Sequence, residues 1–213
     1  MHRHIGWAIR IAVFFILFGI GFGQSPIAGA QEEPLNEESV NEEPDFDQQV
    51  RRWADESKAE IESTFQTLLE TGRLTEAQLF DTFYIPIPDT YPQKYHTRYD
   101  LKLDDTIQEI LDRYLKKHRR IVFVVAVDRN GYLPTHNSRY SLPLTGDRER
   151  DILHNRTKRL FNDRTGLAAA RNTQAFLLQQ YNRDTGEVMF DLSVPLYIGD
   201  RHWGAVRFGY THP

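Results

Sequence analysis

Four bases crowd the stretch HNRTKRLFNDRTG, residues 154–166: Arg156, Lys158, Arg159 and Arg164, interleaved with Leu160 and Phe161. A guanidinium can clamp a carboxylate through two parallel hydrogen bonds, so the useful question is which of these cations points inward. The stretch DRERDILHNRTKRLF (147–161) reads as a helix opened by Asp147. At about 100° per residue from Leu153, Leu160 falls at about 340° and Arg156 at about 300°, inside the apolar arc. Arg159 lies on the edge of that arc, and Lys158 faces away. Arg156 is therefore the base expected to point inward. A desolvated guanidinium needs an anion. Two are open to it: an aspartate of the same chain, or the carboxylate of a ligand.

Strand alternation supplies the candidate aspartate. A two-residue turn at Gly199-Asp200 pairs Leu192 with Arg207 and Asp191 with Phe208. One sheet face then carries Met189, Asp191, Ser193, Pro195, Val206 and Phe208. A four-residue turn at 183–186 adds Phe176 and Leu178 to it. Asp191 and Ser193 become polar groups among apolar neighbours, as in small-ligand sites. A one-residue bulge would swap these faces. Tyr132 and His136 alternate along GYLPTHN and are expected to line the same pocket, although a lone histidine is more often a hydrogen-bonded structural residue.

Other chemistries find less support. His136, His154 and His202 lack metal-ligand spacing, and no metal or cofactor is expected. Nucleophile elbows and glycine-rich phosphate loops are absent. Asp104-Asp105 sits at a helix start, where capping explains it. The chain has no cysteine, hence no disulfide and no thiol nucleophile. The reading is non-enzymatic.

The elements that must position these residues follow from periodicity. Val50, Trp53, Ala54, Ile61, Phe65, Leu68 and Leu69 recur at three and four, predicting a long helix from about Asp47 to Thr71. A short helix follows Thr75. Residues 85–100, with three prolines, read as an extended connection. Residues 103–118 are again helical. Residues 120–137 read as strand, DRNG turn and strand; residues 174–197 form a hairpin, and a last strand runs to Tyr210. Five antiparallel strands result, with the long helix burying its stripe on one face and the insertion 138–173 over the other.

The ends differ in character. Residues 1–30 read as an export signal: Arg3 and Arg10, the apolar run IAVFFILFGIGFG, then Ala28-Gly29-Ala30. Cleavage and retention as an inner-membrane anchor through residues 7–23 are both open. Residues 31–47 hold eight acids and no base, an acidic tether. Residues 48–213 form one domain with 24 bases and 22 acids, a balance that offers nothing to nucleic acid.

The strings YIPIPDTYPQKYHTRYD, GYLPTHN, NRTKRLFNDRTG and YNRDTGEVMFDLSVPLYIGDRHWGAVRFGY, in that order over residues 48–210, resemble the sensor regions of methyl-accepting chemotaxis proteins, within the Cache family of PAS-like extracytoplasmic sensors. The resemblance implies an α+β fold: a long N-terminal helix packed on a five-stranded antiparallel PAS-like sheet, with a helical insertion after the second strand. It also implies sensing of small molecules and dimerisation through the long helix. The aromatic–Arg–Trp–Tyr string by which one Cache subgroup binds amino acids is missing, so that ligand class does not carry over. Such receptors continue into a second membrane helix and a transmitter. Here the expectation is a periplasmic domain that binds a small, anionic metabolite at Arg156, Asp191, Ser193, Tyr132, His136 and Phe176, and acts through a membrane receptor or sensor kinase. The alternative is an interaction module with no ligand, docking on an envelope protein.

Overall fold

A computed structural model describes residues 45–182 and 187–212. The expected export signal, nearly all of the acidic tether and the turn 183–186 lie outside the described residues. Helix α1 (Phe46–Glu70) buries Val50, Ala54, Ser57, Ile61, Phe65 and Leu68, a stripe at helical spacing. Ser57 fits that stripe because its hydroxyl donates to Ala54 O, 3.0 Å away. Thr75 and Gln78 close a reciprocal capping box on the one-turn α2 (Glu76–Leu79). The proline-rich connection is a hairpin, β1 (Ile85–Ile87) against β2 (Lys94–His96), with Ile85 opposite His96. Helix α3 (Asp100–Leu115) starts three residues earlier than its periodicity suggests and buries Leu103, Ile107, Leu111 and Tyr114.

Strand β3 (Ile121–Asp128) follows, then β4 (Tyr132–Leu133), a 3-10 turn (Ser138–Tyr140), α4 (Arg148–His154), β5 (Arg159–Leu160) and α5 (Arg164–Ala170). Three long strands close the chain: β6 (Leu177–Asn182), β7 (Val188–Ile198) and β8 (Arg201–Tyr210). The architecture is α+β, and its main sheet has four strands in the antiparallel order β3-β8-β7-β6. The expected fifth strand, β4, pairs with β5 instead. Local hydrogen bonding explains this. The Asp128 carboxylate takes the amides of Asn130 and Tyr132 at 2.8 and 3.0 Å, so the chain curls after β3 rather than laddering back along it. The outer edge of β3 is closed by side chains at the entry to the insertion. Asn137 Oδ1 accepts from Val124 N, and the Tyr140 hydroxyl donates to Val122 O. An open edge is thus blunted without a fifth strand.

Helices α1 and α3 cover one sheet face, and that interface is the main core, with Phe65, Tyr99, Leu192, Val206, Phe208 and Trp203 buried in it. On the far face Val125, Val127, Leu133 and Ala170 form a smaller cluster with Phe123 and Phe161.

Two registers differ from the simple turn arithmetic. The β7–β8 pairing jumps from Leu196↔Gly204 to Tyr197↔His202, leaving Trp203 as the extra residue of a bulge. Trp203 turns its ring onto Phe65 and Tyr99, and its indole N–H donates to Leu79 O at 2.9 Å. Gly204 is required here, since a Cβ would stand 1.9 Å from Val127 O. The bulge puts Leu192 opposite Phe208 and Ser193 opposite Arg207. Val206 and Phe208 therefore face the helices, and Arg207 faces the insertion. In the β6–β7 hairpin Asn182 pairs with Val188, one residue later than a four-residue turn allows, so Leu177, Gln179 and Tyr181 share a face with Ser193, Asp191 and Met189.

Candidate functional site: a cationic cleft

Between the far sheet face and the insertion lies a cleft of about 640 Å³. Phe123, Val125, Val127, Met189 and Arg207 form its sheet wall. His136, Tyr140, Ile152, Arg156, Arg159 and Phe161 form the opposite wall. The composition is an apolar cavity with a few cations, the usual build of a small-molecule site.

Helix α4 ends at His154, capped at its start by Asp147, so Arg156 is not helical as expected. It sits in the loop that leads into β5, where its backbone N–H donates to Tyr140 O at 2.7 Å. It lines the cleft all the same, its guanidinium 5.4 Å from the centre of the Phe161 ring. Arg159 lies over the same ring at 5.2 Å. Two guanidinium groups thus share one aromatic platform. Burial pulls the Arg159 pKa down to about 10, and the charge of Arg156 adds to the effect. Among the described residues lining the cleft the one acid is Asp163, whose Oδ1 is engaged by Gly166 N at the start of α5.

His136 is buried and reaches the cleft. Its Nδ1 accepts the Asn137 N–H at 2.7 Å, which puts the proton of the neutral ring on Nε2. Burial holds its pKa well below the usual histidine value, helped by Arg156, Arg139 and Arg159. The ring is therefore a neutral donor in a cationic setting.

The other expected site residues fall elsewhere. Asp191 does not meet Arg156. It is fully buried and takes Arg207, whose Nε lies 3.1 Å from Oδ2. Burial opposes the Arg207 charge, and the Asp191 carboxylate outweighs it, so the guanidinium is held above its ordinary pKa. Ser193 is buried on the same face, its hydroxyl 3.5 Å from Leu177 O. Tyr132 belongs to the core: its hydroxyl donates to Tyr95 O at 2.7 Å and its ring packs on Tyr84 and Tyr99. The reason is that β4 ends at Leu133, so the strand alternation linking Tyr132 to His136 does not persist. Phe176 lies on the opposite side of the sheet, under the guanidinium of Arg51 in α1, as the one-residue shift of β6 dictates. Arg207, Arg159 and Phe161 were not expected in the site. Only the bulge, which needs Gly204 next to Trp203, could have revealed Arg207.

No protein-family model matches the chain, and no curated protein matches it. Among solved structures it is similar to an extracellular ligand binding receptor from Desulfohalobium retbaense DSM5692, at 15% identity and a TM-score of 0.32. That match covers 76% of this chain and 25% of the receptor chain, so the domain spans about a quarter of that protein's length.

Proposed function

We propose that this domain is an extracytoplasmic, non-catalytic sensor module that binds a small organic anion in the cleft between the sheet and the insertion. One observation carries the reading: Arg156 and Arg159 share the Phe161 ring inside a cavity of about 640 Å³, next to a neutral histidine donor. A flat anion would lie against the ring plane with its carboxylate toward the guanidinium groups. The self-contained Asp191–Arg207 pair leaves the outer wall to select the ligand. The Cache-like strings agree with such a role, and they suggest that the bound state is passed by contact to a membrane receptor or sensor kinase. Among the described residues no helix is long and apolar enough to cross a membrane.

A thermal-shift screen of organic acids, amino acids and nucleobases at fixed ionic strength tests this. Selective stabilisation by one class of carboxylate is expected. A flat response across the panel, or a hit that Arg156→Ala leaves untouched, rejects the anion cleft.

A further inference from the structure

The proline-rich hairpin has no part in the cleft, yet its one buried cation is aimed at the loop that carries Arg156. Lys94 is 4% exposed. Its ammonium donates to Asn155 O at 3.1 Å, to Thr157 O at 2.6 Å and to Asn155 Oδ1. These acceptors flank Arg156 on both sides. Three donors on one nitrogen meet three acceptors, a geometry that only the charged form of lysine completes. The same strand adds a backbone bond, from Tyr95 N to Lys158 O at 2.8 Å. Asn155 in turn donates through Nδ2 to Leu142 O, tying the loop to the start of the insertion.

We propose that Lys94 is the positioning residue of the cleft: from outside it, the ammonium holds the peptide groups on either side of Arg156 and so fixes where that guanidinium is presented to an anion. The inference rests on the anion-cleft reading for its purpose, but not for its geometry. It makes the hairpin a support for the ligand loop rather than a passive connection.

The placement also makes the charge of the support sensitive to pH. Lys158 and Arg159 face Lys94 as like charges, and Asp151 is the acid that acts on it. Lys158 is itself engaged by Asp104 and Asp100, and Asp100 also holds His96. Burial, then the two cations, lower the Lys94 pKa to about 8. Loss of its proton removes one of three donors, whereas Arg159 stays charged to about 10 and His136 is already neutral.

The test is amide hydrogen exchange on the full chain, with malonate as the anion probe. At neutral pH, Lys94→Met should speed exchange at Arg156 and Lys158 about tenfold, the size expected for losing charge-assisted hydrogen bonds, and leave β8 unchanged. Lys94→Gln, which keeps two N–H donors but no charge, should loosen the same two amides to a smaller extent, which keeps the test independent of whether the methionine variant folds. Malonate affinity should fall about tenfold in Lys94→Met. Unchanged exchange at those two amides overturns the proposal, and so does a loosened loop with unaltered malonate affinity. If the unmodified protein fails to bind malonate, the anion reading is the part that suffers, and the exchange data alone decide whether Lys94 holds the loop.

Discussion

Arg207 of β8 holds Asp191 of β7 across the sheet, Nε to Oδ2 at 3.1 Å, with both side chains buried on the cleft side. The pair stands diagonally, because Arg207 is opposite Ser193 and Asp191 is opposite Gly209. Breaking it from one side leaves an uncompensated charge. Asp191→Ala is expected to cost about 3–5 kcal/mol in urea unfolding, while Asp191→Leu with Arg207→Met recovers most of that loss. A single-variant loss below about 1 kcal/mol would show that water reaches the pair.

The register depends on Gly204. A methyl group there would meet backbone, Val127 O at 1.9 Å, with no flexible side chain to give way. Gly204→Ala should destabilise by about 3 kcal/mol, at the upper end for overpacking. It should also weaken anion binding, since losing the bulge takes Arg207 off the cleft face and leaves the Asp191 carboxylate there without its partner. Unchanged stability would mean that Trp203 is not bulged.

His136 gives a stability slope on the acid side. Its folded pKa lies below the ordinary value of 6.5, so the unfolded chain binds the proton more readily. Its contribution is therefore full above pH 6.5 and lost as the pH falls through the interval down to the folded value. His136→Phe should flatten that part of the melting-temperature profile. An unchanged slope would assign the acid sensitivity to another group.

Lys94 has the opposite sense. Its folded pKa is lowered from 10.5 to about 8, so between those values the unfolded state holds more protons. Stability rises with pH across that window, as the penalty of a buried ammonium is relieved. Lys94→Met should remove the rise. A rise that persists in Lys94→Met would assign the alkaline sensitivity to another group.

Much of this fold was legible. The spacing of Val50, Ala54, Ile61, Phe65 and Leu68 gives α1 to within a residue or two, because one long amphipathic stripe has a single way to be buried. Arg156 lines the cleft, but from a loop rather than from the helix its phase was read on, because α4 stops at His154. What failed were the registers. Phe176 left the site because one extra residue separates β6 from β7, and a single-residue slip exchanges the faces of a strand. Asp191 lost Arg156 as its partner because the bulge at Trp203 brought Arg207 to the same face. Tyr132 was misplaced because the Asp128 side chain, rather than a ladder, takes its amide. Each miss turns on one hydrogen bond or one inserted residue, which residue periodicity does not register.

The central claim is that Arg156 and Arg159 on the Phe161 ring bind a small anion. Calorimetric titration of the best carboxylate from the screen into the unmodified protein and into Arg156→Ala/Arg159→Ala measures it directly. The account predicts one site per chain, with affinity that falls at least about a hundredfold in the double variant, as losing two charge-assisted contacts requires. Equal affinity in both proteins would contradict it.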